Sequence, residues 1–121
     1  MDLRDFIETC EGEEELRRVN TDVDWNLELS HIAKLNEEKR GPALLFEKVK
    51  DYKIPVMTSA FTCPKRLAIA LGMPLHSSMC DMAKHWMELT TKRLIPPMEV
   101  KSGPVFDHVI EGPDVNLFNF P

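Results

Sequence analysis

Glycine is scarce in this chain, and its scarcity excludes several functions. The five glycines, Gly12, Gly41, Gly72, Gly103 and Gly112, stand far apart. A phosphate-cradling loop needs clustered glycines ahead of a helix, so neither a Walker loop nor a dinucleotide-binding loop can be drawn. Each glycine falls where a helix or strand is expected to end. Long apolar runs are also missing, and no stretch has the length of a bilayer-crossing helix. The opening Met1-Asp2-Leu3-Arg4-Asp5 is charged and carries no signal-peptide core. Cysteine is limited to Cys10, Cys63 and Cys80, an odd count at long spacings, which argues for free thiols in a reducing compartment. A cytoplasmic protein without a membrane partner is the expectation. Clustered basic charge is lacking too. The formal net charge is −5, and pairs such as Lys65-Arg66 and Lys92-Arg93 are isolated, so no nucleic-acid partner is expected.

What is present suits one small globular domain. The chain has 121 residues, of which 43% are hydrophobic and 29% charged. Leu3, Phe6, Ile7 and Cys10 recur at helical spacing between Asp2 and Glu11, with Asp2 as cap and Gly12 just beyond. Leu16 to Val19 reads as a short edge strand. Asp24 or Asn26 can cap a helix running to about Lys39, with Leu29, Ile32, Ala33 and Asn36 or Leu35 inward. Gly41-Pro42 stops it.

Ala43-Leu44-Leu45-Phe46 reads as a buried strand continuing to Val49, followed by a turn over residues 50–53. Ile54 to Phe61 reads as a second strand, with Pro55 near its start. Pro64 opens a helix ending near Leu71, with Leu67, Ala68 and Leu71 on one face. Ser78 and Asp81 have capping-box spacing for a helix to about Lys92. Met79, Met82, Ala83, Trp86 and Thr90 share one of its faces. Residues 98–101 and 104–111 look extended. Interleaved helices and strands predict an α/β fold, a small mixed sheet with helices packed on it.

No catalytic constellation emerges. His76, Cys80 and His85 could supply a zinc site only if brought together by the fold, since Cys80 and His85 are five apart and point to different helix faces. His31 and His108 are isolated. Cys63, before Pro64 at a helix start, is the one thiol placed to favour thiolate, yet no base adjoins it. The carboxylates Glu28, Glu47, Asp81, Glu88 and Glu111 form no pair in a shaped pocket. Glu13-Glu14-Glu15 reads as a solvated acidic turn. Four of the seven methionines lie between Met79 and Met98, a pattern that suits a surface packing on another domain.

Several stretches together resemble the N-terminal domain of the UbiD family of reversible decarboxylases. They are Asp2-Leu3-Arg4-Asp5-Phe6-Ile7, Glu15-Leu16-Arg17-Arg18-Val19, and Val23-Asp24 with Leu27-Glu28-Leu29 and Ile32-Ala33. Then come Gly41 to Glu47, Ile54-Pro55-Val56, Arg66 to Gly72 and Pro96-Pro97. The last are Gly112-Pro113-Asp114-Val115-Asn116-Leu117 and Phe120-Pro121. Cys63-Pro64 departs from the pattern, where a small and a charged residue would be expected.

The resemblance implies residues 1–112 as the N-terminal domain and 113–121 as a linker into a flavin-binding split barrel. It implies a full-length lyase that reversibly decarboxylates an aromatic or α,β-unsaturated acid with prenylated FMN, Mn2+ and K+. The cofactor carries the difficult step in such enzymes. No catalytic, cofactor-binding or metal-binding residue of this chain matches the family's, so the segment alone is expected to bind none of these groups and to be inactive. The implied partners are the remaining domains of the same enzyme, docking near Val115, Leu117, Phe118 and Phe120, and a homo-oligomeric whole. A stand-alone interaction module or small subunit of the same fold is the rival expectation. A small thiol enzyme built on Cys63 is a third.

Overall fold

Two carboxylates start the chain's first helix. The side chain of Asp2 accepts from the amides of Arg4 and Asp5 at 2.8 and 2.9 Å, and Asp5 accepts from the Asp2 amide at 3.0 Å. This reciprocal box satisfies donors that a helix start leaves orphaned. In the computed structural model, which describes residues 1–92 and 94–121, the helix α1 spans Leu3–Gly12. The basic pair that includes Arg93 lies partly outside the described residues.

Strand β1, Leu16–Val19, and strand β2, Ala43–Phe46, run parallel, joined through helix α2, Glu28–Glu38. Strand β3, Val56–Thr58, pairs antiparallel with β2. The sheet is therefore mixed, in the order β1-β2-β3, with β1 at an edge as expected. All four residues of β2 are buried because both faces of the central strand are covered. Alternation divides them: Ala43 and Leu45 pack with Phe6, Cys10, Leu16 and Ile69, while Leu44 and Phe46 pack with Val23 and Val49. Leu29 and Ile32 of α2 lean on the second cluster, and α1 supplies the first.

Helix α3, Pro64–Ala70, follows with Pro64 in its first turn, and helix α4 covers Met79–Lys92. Gly72, at φ +66°, turns the chain between them. Ser78 Oγ accepts from the Asp81 amide at 3.1 Å and donates to its carboxylate at 2.6 Å, closing the expected α4 start.

Several expectations need correction. The second strand is three residues long rather than running from Ile54 to Phe61, and β2 ends at Phe46, with Val49 only in isolated bridges to Val23 and Tyr52. Neither Asp24 nor Asn26 is the residue that precedes α2. Leu27 holds that place at φ +70° without a side-chain cap, while Asp24 accepts from the Asn26 amide. Leu35 is exposed and Asn36 turns inward, donating to the Pro42 carbonyl at 2.7 Å. Of the residues expected on one face of α3, Ala68 is buried with Arg66 and Ile69, while Leu67 and Leu71 are half-buried. The stretches 98–101 and 104–111 contain no strand. A short 3-10 turn occurs instead at Pro104–Phe106, opened by a proline that removes a ladder donor, and two more follow at Gly112–Asp114 and Leu117–Asn119.

Candidate functional site

Two features stand out, on opposite sides of α3. The first is a buried ion pair. Glu15 precedes β1, and Arg66 lies in the first turn of α3 with only 2% of its surface exposed. Arg66 donates to Glu15 at 2.9 Å, to the Ser59 carbonyl at 3.1 Å and to Thr62 Oγ1 at 2.9 Å, with a longer contact to the Gly41 carbonyl. Lys65 reaches the other Glu15 oxygen at 3.1 Å, and the Cys63 thiol approaches Glu15 at 3.5 Å. Burial acts to raise the Glu15 carboxyl, but hydrogen bonds from Lys65 and Cys63 and the charges of Lys65 and Arg66 outweigh it. The net effect holds the carboxyl below the usual range. Burial raises the neighbouring Cys10 thiol, partly opposed by Arg66.

This cluster ties the start of β1, the Gly41 turn, the Ser59–Thr62 turn and α3 together. Each of the three Arg66 guanidinium nitrogens donates to a protein acceptor, so the cluster acts as a structural lock. Glu15 is thus not part of a solvated turn, and Arg66 is not a surface charge. Periodicity held a signal, since Arg66 stands three residues before Ile69 and so shares its inward face. The partner could not be read, because it lies 51 positions away.

The second feature is an apolar groove of about 480 Å3 between α3 and α4. Phe61, Leu67, Leu71, Met79, Met82 and Trp86 line it. Met82, 1% exposed, forms the floor, whereas Met79 and Trp86 are 57% and 58% exposed. The methionine-rich face expected from the sequence is therefore open.

The other candidates do not converge. Cys63 is the half-buried residue preceding α3, directed at the Glu15 carboxylate, which Lys65 and Arg66 already pair. Cys80 and His76 are exposed and His85 is half-buried. Among the described residues, no three His, Cys, Asp or Glu side chains could hold a metal ion. Glu47 and Glu11 bind Arg18 at 2.7 and 2.6 Å on the surface, a pairing that lowers the Glu11 carboxyl and raises the guanidinium. Glu28 accepts from the Asp24 amide, Asp81 belongs to the α4 start, and Glu88 and Glu111 are exposed. Val115, Leu117, Phe118 and Phe120 are 52–79% exposed, held to the body by a 2.6 Å hydrogen bond from Tyr52 Oη to the Phe118 carbonyl.

Residues 7–86 match the family model of the 3-octaprenyl-4-hydroxybenzoate carboxy-lyase N-terminal domain. The chain belongs to the UbiD family. The closed form of vanillic acid decarboxylase from Sedimentibacter hydroxybenzoicus is similar at 31% identity and a TM-score of 0.78, over 97% of this chain and 25% of that one. An open form of the same enzyme matches at 31% identity and a TM-score of 0.74, over 99% and 26%. The chain thus spans about a quarter of the length of these UbiD-class relatives. Among the described residues, the mixed three-stranded sheet and four α-helices are those of a UbiD N-terminal domain. No helix among the described residues is long and apolar enough to cross a membrane.

Proposed function

We propose that this chain serves as the non-catalytic N-terminal domain of a carboxy-lyase that reversibly decarboxylates an aromatic or α,β-unsaturated carboxylic acid. The observation that carries the reading is the family match over residues 7–86, supported by similarity to vanillic acid decarboxylase along nearly the whole chain. In this reading residues 1–112 form the domain and 113–121 lead into a flavin-binding split barrel. The full-length enzyme uses prenylated FMN with Mn2+ and K+, is a cytoplasmic homo-oligomer, and takes its acid substrate in the later domains.

The residues described here do not fit those groups. They supply no metal ligand set and no clustered-glycine phosphate cradle, and the buried polar cluster at Arg66 is already satisfied. No chemical step is therefore assigned to a side chain of this segment. Its part in the reaction is mechanical: the Glu15–Arg66 lock fixes the sheet and α3, and the exposed apolar surfaces, including Val115, Leu117, Phe118 and Phe120, dock on the remaining domains.

The test is carbon dioxide release from a panel of benzoic, heteroaromatic and acrylic acids. Full-length polypeptide produced with prenylated FMN is expected to decarboxylate at least one of them, and the 121-residue segment none. A full-length protein inactive on every acid while loaded with cofactor would overturn the assignment.

A further inference from the structure

We infer that the α3–α4 groove is a second interface, closed in the full enzyme by an apolar segment of the same polypeptide outside these 121 residues. The inference rests on the carboxy-lyase reading and adds where the rest of the enzyme sits. Helix α4 gives the first argument. It has 14 residues, and Met82 is its one buried side chain among the described residues. Isolated helices of about 12–15 residues are marginal in water, and most helical stability in proteins comes from packing an apolar face. The face that would pack carries Met79 and Trp86, and both are more than half exposed.

The lining gives the second argument. It is built almost wholly of aliphatic, aromatic and thioether groups. A charged group entering it would lose water without gaining a partner, so the occupant must present apolar side chains. Length gives the third. The relatives continue for about three times the length of this segment, so ample polypeptide exists to cover the groove. Position gives the fourth. Every lining residue from Phe61 to Trp86 lies within the stretch matched by the family model, whereas Phe118 and Phe120 lie beyond it.

Hydroxyl-radical footprinting of Met79 and Trp86 tests the inference, comparing the 121-residue chain with the complete polypeptide. Both side chains are expected to oxidise roughly tenfold more slowly in the complete protein, as in the dry core of an interface. Equal rates in the two forms would overturn it, and so would a polypeptide that ends at Pro121 with both side chains fully reactive. A double variant, Met79→Ser with Trp86→Ser, guards against a purely structural effect. It is expected to leave the unfolding midpoint of the 121-residue chain unchanged while protease releases this domain from the complete protein roughly tenfold faster. Destabilisation of both forms alike would overturn the inference. Protection of the groove in a complete protein that binds no flavin and releases no carbon dioxide would retain the interface and remove the carboxy-lyase reading.

Discussion

The two sides of α3 show two ways of finishing a helix. On one side, Arg66, Ala68 and Ile69 are buried against the sheet, and the guanidinium meets Glu15, Ser59 and Thr62. On the other, Leu67 and Leu71 face a groove whose far wall is the exposed Met79–Trp86 face of α4. The polar side is complete within this chain, although ion pairs are costly to bury. The apolar side is open, although apolar groups are the ones water expels. A domain that worked alone would be expected to show the reverse. The difference teaches that the chain's own contacts are spent on locking the sheet, while its apolar surplus faces outward, as the proposed docking requires.

Breaking the closed side gives the largest effect. Arg66→Ala leaves Glu15 poorly compensated in a mostly buried site and should cost about 3–5 kcal/mol, read as a lowered urea midpoint at neutral pH. A loss under about 1 kcal/mol would mean that water already reaches the pair. Met82→Ala comes next, at about 2–5 kcal/mol, because its side chain is the buried anchor of α4. Measured in the same chain, Trp86→Ala should stay within about 0.5 kcal/mol. Those two positions are four residues apart on one helix, so their contrast separates the floor of the groove from its open wall.

Gly41→Ala sharpens the comparison from the turn that accepts from Arg66. An added Cβ would lie 2.0 Å from Asn36 Oδ1, so Asn36 must give up its bond to the Pro42 carbonyl. A loss of about 1–3 kcal/mol is expected in denaturant melts. The smallest effect is acid dependence. Glu15 has its carboxyl lowered in the fold, so its stabilisation is complete above the unfolded value of about 4.3 and is lost as pH falls through the lower folded value. Glu15→Gln should flatten the stability-against-pH profile in that window, and an unchanged profile would assign the acid sensitivity to other carboxylates.

Local signals were legible where neighbouring residues decide the structure. Asp2 announced the start of α1, the four apolar residues of β2 announced a buried strand, and Ser78 with Asp81 announced α4. Long-range signals were not. Glu15 looked like the end of an acidic run because the arginine that draws it inward is supplied by α3. Val56–Thr58 is short because β2 offers it only Leu44–Phe46 to pair with. Residues 98–101 and 104–111 look extended in the sequence, but they have no strand partner among the described residues, and Pro104 opens a 3-10 turn. The apolar groove was half legible: methionine density marked α4, while Phe61, Leu67 and Leu71 joined it only through the packing of α3.

The central claim is that this segment supports a flavin-dependent lyase without carrying its chemistry. Titrating prenylated FMN into the purified 121-residue chain, beside the full-length polypeptide, tests it most directly. Stoichiometric binding by the full-length protein and none by the segment is the predicted result. Tight, stoichiometric binding by the segment alone would contradict it.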